Sequence, residues 1–303
     1  FEHIRPETLD AYEKGPWYLK FSRTLQLMRA FECFPSCKPP WTVFSGSLSL
    51  MASKRLGGKK HLYCFTPPRL LFDLRSFYLK RAFPFSWPGL AYVMCAYRKA
   101  YEESIDHLDG IIAISERVRY RIRHYLGRDA AVVYPPIETS FFRWIEQGDY
   151  YLSTARVDPL KRVNLIVKAF LRMPDKKLIV VSGGPDLPKI QAVSEGAENV
   201  HVMGWVGEQE LRTLIGRCIA SIYIPRDEDF GMSPVESMAA GKPVIGVQEG
   251  GLLETVAEVG NQNAEIRDYS IEYGKDRGLM ETGQGVLVPP EPGLEDIVEA
   301  VLW

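Results

Sequence analysis

From Tyr150 onward the chain alternates short β-branched runs with amphipathic stretches, and this alternation restricts its fold more than any other feature. Strands are expected at 150–154, 177–181, 200–203, 220–224 and 244–246, with helices at 162–171, 187–197, 208–217 and 234–240 between them. Parallel strands joined by helical crossovers of this length form a doubly wound α/β sheet. Ligands in such sheets bind at the carboxyl ends of the strands. With 303 residues, the chain suits two domains of about 150 residues each rather than one core. The expected division is residues 1–146 and 147–303, with 138–148 as the crossing.

The first half shows the same grammar less cleanly. Residues 61–65 read as a buried strand stopped by Thr66-Pro67-Pro68, 90–107 as a helix and 110–114 as a strand. Ser115 is placed to cap a helix beginning at Glu116, and 130–134 reads as a further strand closed by Pro135-Pro136. The first 60 residues read as helix and loop, with no strand among them.

Composition excludes several classes. No apolar run approaches the roughly 18–20 residues of a membrane span. Five scattered cysteines, an odd number, suit reduced thiols of a cytoplasmic protein. Cys33 and Cys37 have no second Cys/His pair at zinc-ligand spacing, so no metal site is expected. The chain opens on Phe1 rather than Met, which reads as a trimmed chain. The net charge of −1 hides an asymmetry. Residues 1–143 carry 22 Lys and Arg against 13 Asp and Glu, while 144–303 carry 15 against 25. A basic half can face anionic headgroups or a diphosphate-bearing acceptor, or be a solvated surface. No nucleic-acid partner is expected.

The densest chemistry lies in Asp227-Glu228-Asp229-Phe230-Gly231-Met232-Ser233-Pro234-Val235-Glu236, followed by Gly241-Lys242-Pro243. A buried strand ends in an acidic loop, and a glycine permits close backbone approach to a ligand. Ser233, Pro234 and Glu236 spell an N-cap, an N1 proline and an N3 glutamate, a capping box. On that reading Glu236 is only a cap and the acidic triplet only a solvated loop. Alternatively, the backbone N–H groups of Phe230, Gly231 and Met232 point off the strand end, as a helix N-terminus receives a polar ligand.

Glu228 and Glu236, with seven residues between them, followed by Ala240-Gly241-Lys242-Pro243-Val244-Ile245-Gly246 and Glu249-Gly250-Gly251-Leu252-Leu253-Glu254, resemble the donor-domain signature of family-4 retaining glycosyltransferases. The likeness is to the mannosyltransferase-like branch of bacterial surface-polysaccharide assembly. Arg156…Lys161, Ser182-Gly183-Gly184-Pro185, Gly204-Trp205-Val206 and Thr282-Gly283-Gln284-Gly285 follow in the family's order. So do Thr66-Pro67-Pro68, Ile114-Ser115 and Tyr134-Pro135-Pro136 upstream.

The resemblance implies a GT-B fold: two Rossmann-like domains, here an acceptor half over 1–146 and a nucleotide-sugar donor half over 147–303. It implies that Arg156 and Lys161 bind and stabilise the leaving diphosphate and that Glu228 holds donor-sugar hydroxyls. It further implies that Gly183, Gly184 and the amides of Phe230, Gly231 and Met232 approach the donor, and that Glu236 accepts from the ribose. The implied reaction is retaining transfer of a hexose, mannose from GDP-mannose, to a hydroxyl of a glycan or lipid-linked glycan, with no obligatory metal or cofactor. The place implied is the cytoplasm or its membrane face. Two features depart from the family: Phe65 stands where a His usually precedes Thr-Pro, and the first strand with its Gly-rich turn is missing. They leave open a sugar-nucleotide-binding subunit without turnover, and the loops leave open a UDP-sugar donor.

Overall fold

The computed structural model describes residues 20–82, 84–256, 279–282 and 285–302. The chain forms two compact units, 1–134 and 135–303.

The first unit contains α1 (Lys20–Glu32), β1 (Trp41–Ser45), β2 (Lys59–Cys64), α2 (Arg75–Arg81), α3 (Trp87–Ile105), β3 (Gly110–Ala113), α4 (Glu116–Leu126) and β4 (Ala131–Val132). Its four strands lie in sequence order and are all parallel. Ser115 caps α4 as expected, its hydroxyl accepting from the Val118 amide at 3.0 Å. Gly127, left-handed at φ 61°, closes that helix. The strand β1 corrects the reading of the first 60 residues as helix and loop. Only Phe44 of its five residues is buried, while the apolar Trp41 and Val43 are exposed, so it lacks the apolar-in, polar-out pattern of a half-buried strand.

The second unit runs β5 (Tyr150–Ser153), α5 (Val163–Phe170), β6 (Lys177–Val181), α6 (Leu187–Val193), β7 (Val200–Gly204), α7 (Glu208–Arg217), β8 (Ser221–Ile222), α8 (Met232–Ala239) and β9 (Val244–Val247). It continues with α9 (Leu252–Thr255), β10 (Met280–Thr282), β11 (Gly285–Val288) and α10 (Leu294–Leu302). The sheet order is β10-β11-β9-β8-β5-β6-β7, parallel except for β10 against β11. The chain builds outward from β5 through β6 to β7, then returns to lay β8 on the other side of β5. That reversal is a topological switch point, and the loops after β5 and β8 meet there. The core beneath comes from Ile166, Val167 and Phe170 of α5 and the buried faces of β6, β8, β9 and β11.

The units divide at Tyr134/Pro135, ahead of the 146/147 boundary expected from sequence. The segment read as a crossing packs on the second unit. The Ile145 amide donates to Gly216 O at 2.9 Å, and Lys242 Nζ, over the Trp144 ring, donates to Glu146 O at 2.6 Å. Residues 257–278, read from sequence as part of a polar insertion, lie outside the described residues.

Candidate active site

The loop leaving β5 is organised by Asp158, whose Oδ1 accepts from the amides of Leu160 at 2.9 Å and Lys161 at 3.1 Å. This Asx-type turn presents Lys161 before α5 begins. Across the switch point the Arg226 amide donates to Leu160 O at 2.7 Å, stitching the loop after β8 to the loop after β5. Lys161 Nζ donates to Tyr223 Oη at 3.0 Å and forms an ion pair with the Glu228 carboxylate. The Tyr223 hydroxyl donates to Glu228 Oε2 at 3.0 Å. Burial, then the charge of Glu228, pushes the Tyr223 pKa well up, so this phenol remains a neutral donor. Arg156 lies on the same loop, exposed, and its guanidinium makes no hydrogen bond or ion pair among the described residues. Lys161 and Glu228 thus meet at the strand-order reversal of the sheet, the place where doubly wound sheets bind ligands.

The turn into α8 corrects the capping box. The helix begins at Met232, and its N-cap is Gly231, left-handed at φ 91°. No side chain caps it, and the Ser233 carbonyl instead accepts from Ser237 Oγ. Pro234 falls in the first turn, where its missing N–H has no intrahelical partner to lose. The amides of Gly231 and Met232 make no hydrogen bond among the described residues. Glu236 is thereby free of any cap role. Its half-buried carboxyl makes no hydrogen bond or ion pair among the described residues, and burial raises its pKa.

Ionising Glu236 above that raised pKa costs stability, because the unfolded chain ionises it more readily. The cost disappears as pH falls below the ordinary carboxyl value. Glu236→Gln is therefore expected to melt higher than the parent at neutral pH, with the gap closing toward pH 4. If Glu236 serves a ligand hydroxyl, the same variant should bind nucleoside diphosphate about tenfold more weakly. Melts across this pH range with a nucleotide titration check both, and a variant less stable at pH 7 contradicts the first.

Gly183 and Gly184 follow β6. A Cβ on Gly184 would lie 2.1 Å from the Val157 carbonyl oxygen, and one on Gly183 would lie 2.1 Å from Trp205 Nε1. Gly184 is thus demanded by the Val157 backbone, whereas a side chain at 183 would have to displace the Trp205 ring. Trp205 itself is 80% exposed beside them. Phe230 is buried and Met232 is 41% exposed. In the first unit Phe65 follows β2, half-exposed and edge-on to Tyr63.

Three residues given no role from sequence prove central. Tyr223 joins Lys161 to Glu228. Arg162, directly after Lys161, donates from Nη1 to Glu249 Oε1 at 2.9 Å. Glu249 is buried and also accepts from the amides of Asp227 at 3.0 Å and Glu291 at 2.9 Å. The sequence signals were a tyrosine amid an apolar strand and an acid immediately before Gly250-Gly251. Neither pattern names its partners.

The chain has the fold of GT-B glycosyltransferases. Residues 138–267 match the family described as glycosyl transferases group 1, and the chain carries a domain of that family. It is 30% identical over 169 residues to the alpha-1,3/1,6-mannosyltransferase ALG2 of Dictyostelium discoideum, covering 46% of this chain and 40% of that protein. It is 26% identical over 215 residues to the O-antigen chain mannosyltransferase RfbU of Salmonella typhimurium, covering 68% of this chain and 61% of that protein. The chain thus spans less than two thirds of either relative. The fold matches sucrose-phosphate synthase from Thermosynechococcus elongatus with a TM-score of 0.68 at 15% identity, over 95% of this chain and 70% of that one.

Proposed function

We propose that the protein transfers mannose from GDP-mannose, with retention of configuration, to a hydroxyl of a glycan or lipid-linked glycan at the cytoplasmic face of a membrane. The observation that carries this reading is Lys161, held between Tyr223 and Glu228, with Arg156 exposed earlier on the same loop. An anchored cation at the strand ends suits a diphosphate whose charge grows as it leaves. The mannosyltransferase names of both relatives support the sugar. No helix among the described residues is long and apolar enough to cross a membrane, so a surface association fits best.

In the proposed reaction the bond from the sugar's anomeric carbon to the diphosphate oxygen breaks, and the acceptor oxygen bonds that carbon on the same face. The acceptor's proton passes to the departing diphosphate. Arg156 and Lys161 balance the charge there without an obligatory metal, Glu228 orients sugar hydroxyls, and Glu236 accepts from the ribose. The loop of Gly183 and Gly184 and the amides of Phe230, Gly231 and Met232 line the donor.

The test is a thermal-shift titration with GDP and with UDP, repeated on Arg156→Ala/Lys161→Ala. Nucleotide at 100 times its dissociation constant adds about 2.7 kcal/mol of stability. Stabilisation by GDP alone, lost in the double variant, is the expected result. Stabilisation by UDP instead overturns the donor. Phe65 favours a second reading, a sugar-nucleotide-binding subunit, and GDP binding without transfer or hydrolysis of GDP-mannose would select it.

A further inference from the structure

Helix α2 buries none of its seven side chains. Seven residues are far too few to hold a helix in water by themselves, and most helical stability comes from covering an apolar face. Phe77 and Tyr78 nonetheless stand edge to face on it, with the Arg81 guanidinium over the Phe77 ring at 5.3 Å. The chain then turns through Pro84–Ser86 into α3. At this corner Phe85 is 90% exposed and Trp87 48% exposed. The Trp87 indole N–H donates to Ala82 O at 3.3 Å, which fixes the ring outside the unit. Arg75, Lys80 and Arg81 are exposed on the same segment.

The surrounding sequence sharpens the chemistry. No Asp or Glu occurs from Leu74 to Tyr101, while Arg75, Lys80 and Arg81 do, and Arg98 and Lys99 further along α3 pair with Glu102 and Glu103. Large rings interleaved with cations and nothing acidic match a lipid headgroup layer. Aromatic rings settle at the level of the headgroups, and Lys and Arg meet anionic phosphate.

We propose that the corner formed by α2, Pro84–Ser86 and the start of α3 docks on an anionic bilayer surface, with Tyr78, Phe85 and Trp87 entering the headgroup layer and Arg75, Lys80 and Arg81 meeting its phosphates. The proposal deepens the membrane-face reading above and rests on it. It assigns the contact to one surface of the first unit.

The test is co-sedimentation of the full chain with phosphatidylcholine vesicles and with mixed phosphatidylcholine–phosphatidylglycerol vesicles. Two variants are compared, Phe85→Ser/Trp87→Ser and Arg75→Gln/Lys80→Gln/Arg81→Gln. Binding to the mixed vesicles is expected, with each variant weaker by about tenfold or more. Circular dichroism and the GDP and UDP thermal shift are expected to stay unchanged, so a failure of docking is distinct from a failure of the donor reading. Equal binding to neutral and anionic vesicles, unaltered binding by both variants, or no vesicle binding at all would overturn the proposal. Self-association lost in the Phe85→Ser/Trp87→Ser variant without vesicle binding would give the surface to a second copy of the chain instead.

Discussion

Glu249→Ala is expected to destabilise the second unit by about 3–5 kcal/mol, the scale for stripping one partner from a buried ion pair. Glu249 is 5% exposed and receives three donors: Arg162 Nη1, the Asp227 amide and the Glu291 amide. Arg162, Asp227 and Glu291 have φ angles of 53°, 47° and 53°, and Ser182 is the only other non-glycine residue with positive φ among the described residues. Such backbones persist only where the surroundings over-determine them. One carboxylate therefore holds three loops in a conformation that L-residues resist: the loop after β5, the loop after β8 and the loop after β11. Two of those residues are the immediate neighbours of Lys161 and Glu228, so nucleotide binding should fall with stability. Urea unfolding of the parent, Glu249→Ala and Glu249→Gln measures the effect. Gln keeps the volume and one acceptor oxygen but turns an NH2 toward a donor, so it should lie between the other two. An Ala variant within about 1 kcal/mol of the parent, well short of the loss expected for a buried pair, would mean the three loops are held by something else.

That arrangement explains why the fold was more legible than the site. The strand at Lys177–Val181 and the helix at Glu208–Arg217 have the bounds their periodicity predicts, because local pattern and burial agree there. The acid-to-acid spacing of Glu228 and Glu236 pointed to the loop after β8 and the helix it enters. Its details depended on contacts distant in sequence. Tyr223 lies 62 residues from Lys161, and Glu249 lies 87 from Arg162. The Ser233-x-x-Glu236 pattern misled because Gly231 takes a left-handed φ, which ends the loop two residues sooner than a serine cap would. Helix α6 stops at Val193 rather than 197, ahead of Gly196 at φ 78°. In each case a backbone conformation open to glycine outweighed a side-chain motif.

Lys161→Met is expected to lower kcat for sugar transfer by about a hundred- to a thousandfold, the range for removing one preorganised group that stabilises developing charge. The ammonium is anchored rather than loose: its Nζ is fixed by Tyr223 and Glu228, and its side chain is only 23% exposed. On the proposed function, an incoming diphosphate would meet a cation already oriented, with little rearrangement left for the reaction itself. Loss of the lysine also leaves Glu228 with a neutral phenol as its remaining side-chain partner. Glu228→Gln should in turn release Lys161 and weaken its positioning. The two effects belong to one unit, so the Lys161→Met/Glu228→Gln double variant should lose less than the product of the single losses. Steady-state rates for the four proteins, with melts to confirm folding, provide the measurement. Strictly multiplicative losses would separate the two residues, and a Lys161→Met enzyme within a fewfold of the parent would remove Lys161 from the chemistry. Arg156, exposed and without a hydrogen bond or ion pair among the described residues, has no such anchor. Its loss should therefore raise KM more than it lowers kcat, as expected of a group that strengthens ground-state and transition-state binding alike.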